Sequence, residues 1–197
     1  MGAKRLRRWT LILVGGVVIG VGLVALQEAT TDPTPVLVAT ETISDIAPGT
    51  AVVLRSVVVS SVTDGDTLRL ASGDRVRLLQ VDAPEREECY ARGATWALAR
   101  LAPPGAKPHF SFEPQFGERD DYGRLLLYVE IDEQVVNLEL VRQGAAVPYF
   151  FRGQRGAIAD ELLAAAKDAR RNRRGLWGAC PRAKLDPNRG SLTGPAS

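Results

Sequence analysis

The stretch VVLRSVVVSSVTDGDTLRLASGDRVRLLQV, residues 52–81, decides the fold. Its β-branched run at 52–62 suits a pleated, half-buried surface. Asp64-Gly65 is a tight-turn dipeptide. DTLRLA (66–71) alternates apolar and polar, Ser72-Gly73-Asp74 turns, and RVRLLQV (75–81) returns. This predicts a three-stranded meander that Pro84 terminates.

Working outward, a helix is predicted next. Glu87 and Glu88 suit its first turn, and Tyr90, Ala94, Ala97, Leu98 and Leu101 form one apolar face. Pro103-Pro104-Gly105 stops it. HFSFEP (109–114) and LLLYVEI (125–131) read as strands, 135–144 as a short helix ended by Gly144, and 156–173 as the last helix, with Ile158, Leu162, Leu163 and Ala166 inward. The order β-β-β-α-β-β-α-α gives an α+β class, and five short strands with three helices suit a small OB-type barrel.

The chain has 197 residues, 45% of them apolar and 24% charged, which supports a packed core and excludes wholesale disorder. Two Cys and a single His exclude zinc-finger frameworks. The sole His109 follows Pro108 at a strand start and is not expected to be catalytic. The net charge of +2 hides an asymmetry, because Lys4, Arg5, Arg7 and Arg8 and the basic stretch 167–197 flank an acidic middle. Bulk charge therefore does not reveal function.

Ahead of the domain, WTLILVGGVVIGVGLVAL (9–26) carries no charge. As a helix it would span about 27 Å, close to a bilayer core. With basic residues before it, the reading is an N-terminal transmembrane signal-anchor, or a signal peptide that is cleaved, with the remainder outside the cytoplasm. The expected localisation is the cell membrane, or secretion after cleavage. Gly16 and Gly20 form a GxxxG pair that would allow a weak homodimer. The expected organisation is 1–26 basic N-terminus and anchor, 27–50 flexible Thr/Pro/Ala-rich linker, 51–180 folded domain and 181–197 tail. In an oxidising compartment Cys89 and Cys180 would pair and tie the C-terminal segment beside the loop holding Glu85, two separate thiols being the alternative.

Three polar islands interrupt the strand pattern: Asp64-Gly65-Asp66-Thr67; Arg77 with Asp82-Ala83-Pro84-Glu85; and Arg119-Asp120-Asp121-Tyr122-Gly123-Arg124. In the meander, Asp66 is expected opposite about residues 80–82, facing Asp82. Two such carboxylates repel unless a cation lies between them. With no His or Cys nearby, hard oxygen ligands favour Ca²⁺ or Mg²⁺, and the bend at Pro84 would turn the Ala83 backbone carbonyl toward the ion. Arg77 and Arg124 would neutralise a phosphorane-like transition state, and Glu85 would activate water. One step strains the geometry: position 77 is out of phase with 82, so the strand must bend or bulge for both to share a face.

Together VTDGDTLRL (62–70), VRLLQVDAPE (76–85), DDYGRLL (120–126), VNLELVRQG (136–144) and RGLWGAC (174–180) resemble the staphylococcal nuclease-like (thermonuclease) family, over about residues 52–180. The resemblance implies an OB barrel with three helices and a Ca²⁺-dependent endonuclease on DNA and RNA that leaves 3′-phosphates. It implies Asp66, Asp82 and the Ala83 carbonyl as calcium ligands, Glu85 as general base or water-orienting group, Arg77 and Arg124 as phosphate-binding residues, and Tyr122 near a terminal phosphate. Ala83 stands where the best-known members have Thr, and Asp121 where they carry Lys. Within Tyr149-Phe150-Phe151, Tyr149 is the expected exposed stacking ring. A non-catalytic OB-fold nucleic-acid-binding or interaction module is the alternative; it should have lost a metal carboxylate or an arginine, and all five are present.

Overall fold

The computed structural model describes residues 57–194. The apolar segment 9–26, the Gly16/Gly20 pair and the linker lie outside the described residues. Among those described, no helix is long and apolar enough to cross a membrane.

The predicted meander forms as β1 (Val59–Val62), β2 (Thr67–Leu70) and β3 (Arg75–Leu78), antiparallel throughout. β3 then runs two residues into a break, and β4 (Val81–Asp82) leaves in a new direction to pair with a later strand. α1 (Ala91–Leu101) buries Ala91, Ala94, Ala97 and Leu98, as its apolar spacing requires. It begins later than expected. Tyr90 sits at its N-cap in a left-handed conformation (φ 75°), so Glu87 and Glu88 precede the helix instead of forming its first turn.

β5 (His109–Ser111) is shorter than predicted, because Pro114 opens a 3₁₀ turn over Pro114–Phe116. β6 (Leu125–Ile131) is the central strand, parallel to β3 and antiparallel to β5, and its near-continuous apolar run suits burial on both faces. β7 (Gln134–Val135) pairs back onto β6 where a helix start was expected, and α2 (Val136–Arg142) follows directly. α3 (Ala159–Arg171) completes the predicted order, and β8 (Val147–Pro148) and the short α4 (Leu176–Ala179) are elements that order did not contain. Within the stretch read as a tail, β9 (Lys184–Asp186) and β10 (Gly190–Leu192) form an antiparallel hairpin.

Of the closed or partly open five-stranded barrel expected, the closed form is not what the strands build. The main sheet runs β1-β2-β3-β6-β5, and among the described residues no ladder joins β5 to β1. The connection after α1 fills that gap: Val59 N donates to Ala106 O at 2.9 Å, and Gly105 N donates to Val59 O at 2.8 Å. The α+β class and three principal helices stand. One core of Leu68, Val76, Leu98, Leu125, Val129, Leu140 and Leu162 lies between the sheet and the helices.

Candidate active site

The site is built where β2, β3 and β4 meet. Gly65 lies in the predicted turn without a positive φ, and it serves as a point of close approach. A Cβ there would stand 2.5 Å from the Ala83 Cβ and 2.7 Å from the Ala94 Cβ. The bare backbone lets the Asp64–Asp66 turn press onto the start of the Glu85 loop. Ala83 N donates to Asp66 Oδ2 at 2.9 Å, which welds the two segments together.

The register places Thr67 opposite Arg77 and the Asp66 carbonyl on Leu78 N (2.9 Å), so Asp66 does not lie opposite residues 80–82 as expected. The break after β3 brings Asp82 in. Gln80 takes φ 61°, which reverses the alternation of side chains and solves the phase mismatch between Arg77 and Asp82. Its conformation is over-determined. Its Nε2 donates to Gln154 O (2.9 Å), Gly156 N donates to its Oε1 (2.7 Å), and Tyr149 N donates to its carbonyl (2.9 Å). Beside it the fully buried Asn137 donates to Leu79 O (2.9 Å) and accepts from Val129 N (2.9 Å), tying the break to β6.

Arg77 is consequently drawn between the two carboxylates. Its Nη2 lies 3.1 Å from Asp66 Oδ2 and 2.7 Å from Asp82 Oδ1. Its Nη1 donates to the carbonyls of Leu78 (2.8 Å) and Val81 (2.6 Å). Asp66 is buried, and that burial pushes its carboxyl up to about 6 despite Arg77 and the Ala83 amide. Glu85 is also raised, first by burial and then by the charges of Asp82 and Asp64. Asp66 and Asp82 thus share one guanidinium, while Asp64 and Glu85 add negative charge to the same region.

Arg124 approaches from β6. Asp120 accepts from the Arg124 amide (2.9 Å), from the Tyr122 amide (3.0 Å) and from Arg124 Nε (2.7 Å), so one carboxylate shapes the turn and aims the guanidinium. Burial alone would raise Asp120, but these bonds outweigh it and hold it below the usual carboxylate range. Arg124 Nη1 reaches Thr67 Oγ1 at 3.4 Å, and that hydroxyl donates to Asp66 Oδ1 at 3.1 Å. A continuous polar chain therefore links Arg124 to the acidic cluster.

Arg77 and Arg124 also line a cleft of about 380 Å³ with Gln80, Arg119, Tyr122, Tyr149 and Phe151. Tyr122 is strongly exposed, with Arg124 over its ring at 5.4 Å. Tyr149 is half-buried and meets Phe151 edge-on at 6.4 Å; Phe151 is the more exposed ring and Phe150 is core. His109 lies on β5, paired with Glu130, away from the acidic cluster. The Cys89–Cys180 disulfide forms, with Cα atoms 5.9 Å apart, and it anchors the loop carrying Glu85. That loop is fixed locally as well, since Glu85 N donates to Glu88 Oε2 and Glu88 N to Glu85 O, at 2.9 and 2.7 Å.

Residues 75–179 match the family model described as Staphylococcal nuclease homologue. The chain belongs to this family. It is 33% identical over 131 residues to Protein ParB of Escherichia coli, spanning 60% of this chain and 70% of that protein. It is 32% identical over 133 residues to the Micrococcal nuclease of Shigella flexneri, spanning 60% and 71%. It is 30% identical over 106 residues to the Thermonuclease of Staphylococcus intermedius, spanning 49% and 61%. The family model begins at β3, so it covers Arg77, Asp82, Glu85 and Arg124 but not Asp66.

The donor set fits a hard divalent cation held by few protein ligands. Asp66 and Asp82 converge on a single Arg77 nitrogen, and Asp64 and Glu85 add charge nearby. Among the described residues no group of three or more His, Cys, Asp or Glu is arranged to hold a metal ion, so an ion at Asp66 and Asp82 would need carbonyl and water oxygens as well. Ca²⁺ tolerates that arrangement, because carbonyl and water oxygens complete its shell.

Sequence reasoning missed Gln80 and Asn137, and it named Asp64 and Asp120 within the polar islands without giving either a role. Gln80 is a lone polar residue in an apolar strand run, and Asn137 is a polar residue on the inward face of an amphipathic helix. Both signals were present in the sequence, though neither names its partner.

Proposed function

We propose that this chain is a Ca²⁺-dependent endonuclease that hydrolyses phosphodiester bonds of DNA and RNA. The observation that carries the reading is the convergence of Asp66 and Asp82 on Arg77 Nη2, with Glu85 and Arg124 adjoining. The names of the relatives, Thermonuclease and Micrococcal nuclease, support the reaction class.

Asp66, Asp82 and the Ala83 carbonyl would hold the ion. When bound, the ion would neutralise negative charge developing at the phosphate. Glu85 takes the proton of the attacking water; its raised proton affinity, caused by burial and neighbouring acids, makes it a stronger base than a solvated carboxylate. The new bond runs from water oxygen to phosphorus, the bond to the 5′-oxygen breaks in line, and that oxygen takes a proton from solvent while the proton held by Glu85 passes back to water. Phosphate remains on the 3′ side. Arg77 and Arg124 hold the equatorial oxygens, and Arg124 arrives already oriented by Asp120. Tyr122 and Tyr149 bracket the cleft, where sugar-phosphate and base would lie.

The Cys89–Cys180 bridge supports export, because cystines persist in oxidising compartments. We place the domain outside the cytoplasm, tethered by segment 9–26 or released after its cleavage.

The test is a digest of supercoiled plasmid and of single-stranded RNA by the full chain, with Ca²⁺ or with EGTA. Cleavage only with Ca²⁺, abolished by Glu85→Gln, is expected. Intact but retarded nucleic acid under both conditions would replace catalysis with binding.

A further inference from the structure

We infer that the C-terminal hairpin is a working part of the active site, with Gly190 acting as the wall that positions the Asp82 carboxylate. This inference rests on the metal-site reading proposed above.

The hairpin is pinned at three points. Cys180, just before it, is bonded to Cys89. At its tip Phe150 N donates to Pro187 O at 2.6 Å, and after it Cys89 N donates to Gly194 O at 2.9 Å. These anchors lay β10 against β4, the strand that carries Asp82, and against β8.

Gly190 is buried and has φ +74°. A Cβ on it would stand 2.5 Å from Asp82 Oδ2 and 3.1 Å from its Cγ. The other carboxylate oxygen, Oδ1, lies 2.7 Å from Arg77 Nη2. One oxygen of Asp82 therefore meets a guanidinium, and the Gly190 backbone lies close beside the other. A ligand whose rotamer is fixed before binding avoids the entropy cost of being ordered by the ion. Glycine meets two requirements here: the left-handed backbone, which Asn also tolerates, and the close approach, since any Cβ would push the Asp82 carboxylate out of place.

That distinction supplies the test. Gly190→Ala and Gly190→Asn are made in the full chain beside Gly73→Ala, a glycine with φ +94° and nothing within 4 Å of its missing Cβ. Ca²⁺ binding is read by calorimetry with the metal alone, folding by circular dichroism and urea midpoint, and kcat and KM on a DNA oligonucleotide. Both Gly190 variants should weaken Ca²⁺ binding at least about tenfold and lower kcat at limiting Ca²⁺, with KM for DNA little changed. Gly73→Ala should lose stability yet keep parental Ca²⁺ affinity. Because Asn accepts the backbone conformation, its loss isolates the contact with Asp82 and keeps the test open should the Ala variant fold poorly. If the parent binds Ca²⁺ and both Gly190 variants bind it equally or more tightly, the wall is refuted and the metal site survives. If the parent binds no Ca²⁺, the metal-site reading falls and takes this inference with it.

Discussion

Asn137→Leu should unfold little of the domain and disable most of its site. Asn137 is fully buried, and its amide satisfies Val129 N and Leu79 O, each at 2.9 Å. Leucine is close in volume but leaves both backbone groups without partners. At about 1–3 kcal/mol for each orphaned group, the loss is roughly 2–6 kcal/mol. Against a typical stability of about 5–15 kcal/mol, most molecules stay folded in the cold. The break between β3 and β4 loses its tie to β6, however, and the facing of Arg77 and Asp82 depends on that break. A misplacement of about 1 Å can cost on the order of 100-fold in rate. The control is Leu140→Ala on the same helix, also fully buried, with an expected cost of about 2–5 kcal/mol and no bond to the break. Urea unfolding should rank the two variants together. Plasmid nicking at 10 °C (roughly, to stay well below unfolding) should separate them, Asn137→Leu falling about 100-fold and Leu140→Ala staying close to the parent. Equal activity losses would refute the reasoning, and so would an Asn137→Leu variant of parental stability.

Three further outcomes are expected. The Asp66 carboxyl, raised to about 6 chiefly by burial, binds its proton more tightly in the folded chain than in the unfolded one. Its contribution therefore favours folding in acid and is lost as pH rises through about 6, by on the order of 3 kcal/mol. Urea unfolding in EGTA at acidic and neutral pH should show this swing in the parent and not in Asp66→Asn; parallel pH profiles would contradict it. Replacing both Cys89 and Cys180 by Ser opens a loop spanning 91 residues. The chain-entropy model puts the loss at about 4–5 kcal/mol, seen as a lower urea midpoint, and an unchanged midpoint would show that the bridge adds nothing. Asp120→Ala frees the Arg124 guanidinium with a stability loss under about 1 kcal/mol, since the pair is partly solvated. Its kcat should fall at least about tenfold, and an unaltered kcat would show that Arg124 needs no such aiming.

Strand and helix order were legible in the sequence, because periods of two and of about 3.6 are written in apolar spacing. The chemistry-bearing side chains were legible too, as polar islands breaking an apolar pattern. Long-range arrangement was not. The sequence placed Asp66 opposite residues 80–82, whereas the register sets it against Leu78, and Asp82 arrives only through the left-handed Gln80. That conformation is costly for a non-glycine residue and persists because Tyr149, Gln154 and Gly156 hold Gln80 from one later segment and Asn137 holds the neighbouring Leu79 from α2. Composition likewise gave no sign that residues past Cys180 return to Asp82, since a short hairpin has little stability of its own and is fixed by its anchors. Local sequence determined which residues this protein would use. Tertiary contacts decided where they meet, because two segments distant in sequence are brought together only when the core and its buried hydrogen bonds leave them no other place.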